Sequence, residues 1–96
     1  MREPLTAAEI RRALAELPGW RHEDDALRKT FTFSHFREAV SFLVRLAFEA
    51  ERLNHHPEIR NVYNQVEVAL NTHDAGNTVT EMDTRLAVAI ESFAWS

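Results

Sequence analysis

The chain has no cysteine to brace it with a disulfide, and only two glycines and three prolines punctuate its 96 residues. The missing thiols permit a reducing compartment. No uninterrupted apolar stretch approaches the roughly 20 residues a membrane span needs. Met1 to Thr6 hold no apolar core of a signal peptide, so the expected location is the cytoplasm. The 11 basic residues are outnumbered by 15 acidic ones, for a net charge of −4, and they are scattered along the chain. That pattern offers a phosphate backbone no electrostatic footprint and argues against direct nucleic-acid binding. Repeats, linkers and low-complexity tracts are missing too. What remains is an ordinary globular composition, 45% hydrophobic and 27% charged, expected to fold as a single domain over 1–96. So short a chain builds a small core, and oligomerisation is the expected extra source of buried area.

Thr6-Ala7-Ala8-Glu9 is a capping box in which hydroxyl and carboxylate each satisfy a free backbone N–H. Ile10, Ala13, Leu14 and Leu17 follow at helical spacing until Pro18-Gly19, predicting a helix over about 7–17. The polar Glu23-Asp24-Asp25 reads as a turn between a short strand at Trp20 and a longer one at 26–33, where Leu27, Lys29, Phe31 and Phe33 share one face. Ser34 is the expected cap of the longest helix, 35–53. Its apolar arc, from Ala39 and Val40 through Leu43 and Leu46 to Ala50 and Leu53, is widened by Phe42, Val44 and Phe48. A stripe so broad predicts burial twice, once on the sheet and once on another subunit. Glu51 falls within that arc, between Val40 and Val44, where a carboxylate needs a partner. From 59 to 72 the chain alternates as strand, either a hairpin tipped at Tyr63-Asn64 or one bent strand. After a loop at His73-Asp74-Ala75-Gly76-Asn77, a second capping box, Thr80-Glu81-Met82-Asp83, opens a helix with Leu86, Ala89, Ile90 and Phe93 inward. The order α-β-β-α-β-β-α predicts an α+β fold, a four-stranded antiparallel sheet with helices packed on one face.

The chemistry centres on histidines. Pro57 disfavours helical geometry at His56, so His55 and His56 stand where a long helix breaks into a strand, with rings pointing apart. Each imidazole can give or take a proton near neutrality. Either ring alone also reads as a cap for free carbonyls at a helix C-terminus. His73 opens a loop directly after a strand, a common place for functional groups and for ordinary surface histidines alike. Glu51 lies one turn before His55 and is its expected partner.

Taken together, Glu51, three residues, His55-His56-Pro57, five residues, Tyr63, nine residues, His73, nine residues and Asp83 resemble the signature of the pterin-4a-carbinolamine dehydratases. The likeness runs on through Glu49 to Glu58, Asn61 to Asn64, Thr72-His73-Asp74 and the final helix. It implies loss of water from 4a-hydroxytetrahydropterin, with a base at the N5 proton and an acid at the departing hydroxyl, and no cofactor or metal. By the same resemblance His55, His56 and His73 line the pterin pocket. His56 is the expected acid, His73 the base and His55 the positioner, although the roles permute among the three rings. Glu51 and Asp83 support the site, and Trp20 is the expected apolar wall. Asp83 reads equally as the acid of the Thr80 box, and Tyr63 as a packing residue. Family members assemble as dimers or tetramers, here expected through helix 35–53. Asn54, Met82 and Ala75 depart from the aspartate, arginine and cysteine common at those positions. Two other classes compete with the enzyme: a histidine metal site, disfavoured because adjacent rings rarely converge on one ion, and a non-catalytic dimerisation or transcriptional cofactor module.

Overall fold

The structure, a computed structural model, describes residues 3–95; Met1, Arg2 and Ser96, the ends of the expected 1–96 unit, lie outside them. Helix α1 (Ala7–Ala15) begins on its capping box, with the Glu9 N–H donating to the Thr6 hydroxyl at 3.1 Å and the Thr6 N–H to the Glu9 carboxylate at 2.8 Å. It stops two residues short of the predicted end because Glu16 leaves helical geometry, and Leu17 drops into the core. Strands β1 (Arg21–Glu23) and β2 (Ala26–Thr32) form a hairpin across Asp24 and Asp25. Both aspartates have positive φ, as a tight two-residue turn demands. Strands β3 (Glu58–Val62) and β4 (Gln65–Leu70) form a second hairpin, which resolves the Tyr63-Asn64 alternatives in favour of a tip.

The sheet order is β1-β2-β4-β3, antiparallel throughout. Register places Leu27 opposite Leu70 and Phe31 opposite Val66, so period-two alternation sends these four side chains to one face. Helix α2 (Phe36–Leu53) lays Ala39, Phe42, Leu46 and Ala50 on that face, and helix α3 (Glu81–Phe93) adds Leu86, Ala87 and Ile90. Each large side chain fully removed from water in this layer contributes about 1.5–3 kcal/mol. Phe31, Phe33 and Phe42 stack at its centre, 4.7 and 5.1 Å between ring centroids.

One detail of α2 differs from prediction. His35, not Ser34, is the N-cap: its Nδ1 accepts the Glu38 N–H at 3.3 Å, while the Ser34 N–H is taken by the Glu38 carboxylate at 2.8 Å. The broad apolar arc of α2 divides in two, with Ala39, Phe42, Leu46 and Ala50 on the sheet and another row open to solvent. Phe36, Val40, Val44 and Phe48, spaced by four, form an exposed row, Phe48 being 67% exposed. Among the described residues no helix is long and apolar enough to cross a membrane.

Candidate active site

At the end of α2, Asn54 adopts the left-handed conformation, φ 51° and ψ 46°, with its N–H capping the last carbonyls. That geometry suits asparagine and ends the helix abruptly. The next residues leave in opposite directions. His55 turns inward, where Nε2 meets Asp83 Oδ1 at 2.5 Å; His56 turns outward, where Nε2 meets Glu51 Oε1 at 2.9 Å. Glu51 is therefore paired with His56, not with His55 as predicted. Helical spacing stops applying once Asn54 breaks the helix. Nor is Glu51 buried: its side chain is 77% exposed, because the Val40–Val44 edge of α2 faces solvent.

From the far side, β4 ends at Leu70, and the chain passes Asn71 and Thr72 into a short 3-10 turn, His73–Ala75. The His73 ring is fixed through Nδ1, which lies 3.1 Å from the Asn77 side-chain oxygen. An amide oxygen only accepts, so Nδ1 is the donating nitrogen of this bond, and Nε2 is not used in it.

Asp83 is wholly buried, and its two oxygens have different duties. Oδ2 takes the Thr80 N–H at 2.8 Å, closing the capping box, and the Thr72 hydroxyl at 2.9 Å. Oδ1 takes His55. Asp83 therefore closes the Thr80 capping box and meets the His55 ring at the same time. Between a carboxyl group and an imidazole the proton belongs on the imidazole, the stronger base, so Nε2 of His55 is the protonated nitrogen. No buried side-chain nitrogen or oxygen among the described residues lacks a hydrogen-bond partner. His55 Nδ1 has none in the protein, so it keeps accessible surface.

These elements enclose a cavity of about 370 Å³ lined by Asn54, His55, His56, Asn71, Thr72, His73, Asp74 and Asn77. All three predicted histidines meet there. Asn71, Thr72, Asp74 and Asn77 were not singled out from the sequence; their signal was adjacency to His73 on a strand end and loop. A larger cleft of about 480 Å³ between α2 and α3 has an apolar wall of Leu53, Val88 and Ala89 and no histidine, so it lacks the groups for proton transfer near neutrality.

Several predicted residues lie elsewhere. Trp20 is a correction: it does not line the histidine cavity but is buried in the core, edge-on to Phe31. Its indole N–H must find a partner once buried, and donates to Glu91 on α3 at 2.9 Å. Pro57 stands between His56 and β3, outside the lining, and acts on the backbone direction. Tyr63 does not pack within this chain; it is 64% exposed at the hairpin tip. Met82 points into the core, so its replacement of a common arginine leaves the cavity lining untouched. Among the described residues no three His, Cys, Asp or Glu side chains are grouped to hold a metal ion.

The family model for pterin 4 alpha carbinolamine dehydratase matches residues 3–93. The chain belongs to that family. Two relatives carry the name "Putative pterin-4-alpha-carbinolamine dehydratase". One, from Opitutus terrae, is 58% identical over 95% of this chain and 94% of that protein. The other, from Rhodopseudomonas palustris, is 48% identical over 98% and 94%. Among solved structures, a transcriptional coactivator/pterin dehydratase from Brucella melitensis superposes with a TM-score of 0.90 at 40% identity, covering 96% of this chain and 99% of that one. A pterin dehydratase-like protein described as a RuBisCO assembly factor in the alpha-carboxysome reaches 0.68 at 26% identity, covering 81% and 92%. The dehydratase fold thus extends to a protein described as an assembly factor.

Proposed function

We propose that this dehydratase-family chain is a hydro-lyase that removes water from 4a-hydroxytetrahydropterin by histidine acid/base catalysis, as a step in tetrahydropterin recycling in the cytoplasm. The observation that carries the reading is the meeting of His55, His56 and His73 on one cavity, each ring anchored through a single nitrogen. The cavity volume falls within the range of small-molecule sites. Dehydration needs two proton transfers. A base takes the N5 proton, the N5 electrons form the bond to C4a, and the C4a–O bond breaks as an acid delivers a proton to the departing oxygen.

The anchors support a division of labour. Glu51 Oε1, 2.9 Å from His56 Nε2, orients that ring and suits it to the acid's place; Asn77 engages His73 through Nδ1, which leaves Nε2 as the base. His55, tied to Asp83, is the positioning ring. The reaction as written requires no metal or cofactor. The test is direct: purified protein should accelerate dehydration of 4a-hydroxytetrahydropterin followed by absorbance, and His56→Ala or His73→Ala should slow it on the order of a hundredfold. Wild-type protein at the uncatalysed rate would refute the reading.

The exposed row Phe36, Val40, Val44 and Phe48 supports a second statement, assembly as a homodimer or homotetramer through α2. A non-catalytic dimerisation module is the competing use of the same surface, and inactivity in the assay with an intact oligomer would favour it.

A further inference from the structure

The direction of every proton in the buried network around Asp83 can be counted. A carboxylate cannot donate, so the Thr72 hydroxyl gives its single proton to Asp83 Oδ2 at 2.9 Å. The 2.6 Å bond between the Thr72 and Thr80 hydroxyls is therefore donated by Thr80. The Thr80 hydroxyl also accepts the Met82 N–H at 3.2 Å, so its proton and one of its two lone pairs are committed. Oδ2 receives two donors from fixed directions, the Thr72 hydroxyl and the Thr80 N–H, and these set the rotation of the carboxylate. Oδ1 is left for His55. Thr72, Thr80 and Asp83 are at most 5% exposed, which leaves little room for water to replace a lost partner.

Thr72 has a second hold on the site. Its N–H donates to the Thr78 carbonyl at 2.8 Å, and its carbonyl accepts from Ala75 and Asn77 at 3.1 and 3.0 Å. These bonds close the loop that carries His73 and its anchor Asn77. One residue thus secures the loop of His73 through its backbone and the ring of His55 through its side chain.

We infer that Thr72 is a positioning residue: its hydroxyl, driven by Thr80, holds the Asp83 carboxylate so that His55 is kept as the Nε2–H tautomer and offers Nδ1 to the cavity. The inference deepens the catalytic reading, but its decisive measurement does not depend on turnover. Thr72→Val removes the hydroxyl while keeping shape and backbone bonds, and Thr72→Ser restores it.

In nitrogen-15-labelled wild-type protein, ring correlations should assign His55 as protonated on Nε2. That proton, in a short bond to a carboxylate, should resonate far downfield and exchange slowly with water. Thr72→Val should abolish or shift that resonance, leave the His56 and His73 rings unchanged, and lower turnover roughly tenfold, the usual scale for partners that orient a functional histidine. Thr72→Ser should restore both signals. A merely structural threonine would lower stability and leave the His55 proton in place. Folded Thr72→Val with an unaltered His55 resonance overturns the inference. If that variant does not fold, a wild-type spectrum showing His55 protonated on Nδ1 overturns it equally. An inactive protein that still shows the Thr72-dependent His55 signal counts against the dehydratase reading while upholding the role of Thr72.

Discussion

Asp83→Asn keeps the shape of the side chain and turns one of its two acceptors into a donor. Three donors converge on the native carboxylate: His55 Nε2, the Thr72 hydroxyl and the Thr80 N–H. The amide oxygen can keep the two bonds at Oδ2, and its NH2 then faces His55, which must move its proton to Nδ1 and accept through Nε2. The retained bonds fall from charge-assisted to neutral, a difference of about 1–2 kcal/mol. Asp83→Ala is harsher. It orphans three donors, two of them on residues at most 5% exposed; at about 1–3 kcal/mol each the loss reaches about 4 kcal/mol or more. Domains of this size are stable by only about 5–15 kcal/mol.

Thermal unfolding at one fixed protein concentration, since assembly makes Tm concentration-dependent, should show Asp83→Asn melting roughly 5–15 °C below wild type. Asp83→Ala should melt lower still or fail to fold. An Asp83→Asn variant within about 0.5 kcal/mol of wild type, the range of ordinary surface changes, would refute the accounting. So would an alanine variant no worse than the asparagine one.

Asn54 sits at φ 51°, where a Cβ costs about 1–2 kcal/mol unless the side chain compensates. Asn54→Ala should therefore lower the unfolding free energy from urea titration by about 1 kcal/mol and Asn54→Gly should not; the reverse order would show that the left-handed cap is not the determinant. Val44→Glu places a charge in the exposed apolar row of α2 and should reduce the mass seen by light scattering to that of a monomer; an unchanged oligomer would move the interface elsewhere. The Thr6 backbone N–H first, and its hydroxyl second, hold the Glu9 carboxyl below its ordinary value of 4.5. A value depressed by folding gives stability present above the unfolded value and lost as pH falls through the folded one. Protection of the Glu9 and Ile10 amides should accordingly fall as pH drops below 4.5, and Glu9→Gln should remove that dependence.

The elements were legible in the sequence where local chemistry decides them. The Thr6 and Thr80 boxes and the alternation of Leu27, Phe31 and Phe33 appear as read, while the turn read at Glu23-Asp24-Asp25 narrows to the two aspartates, Glu23 belongs to β1 and Trp20 lies just before that strand. Ser34 and His35 shows the limit: both side chains can cap, and the choice fell to the extended backbone of His35 and to Glu38 engaging Ser34 from within the helix. Trp20 shows another. Its partner Glu91 is 71 residues away, and nothing in the local pattern of either residue announces the bond.

At the site, spacing singled out three histidines that meet on one cavity but paired the wrong one with Glu51. Helical arithmetic is valid only inside a helix, and Asn54 ends the helix between the two partners. Thr72 escaped notice for a related reason. Strand alternation does not say which way a side chain turns in the residues after β4, yet that turn into the core is what brings its hydroxyl to Asp83. Asp83 itself was legible as one of two rival residues, a helix cap or a site acid. The rivalry dissolves once lone pairs are counted instead of residues. A carboxylate has two oxygens, the capping N–H occupies part of one, and the other stays free for a ring 28 residues away in the chain. A capping acid buried beside a histidine therefore holds the helix end and that ring at once, and breaking either bond by mutation should disturb the other.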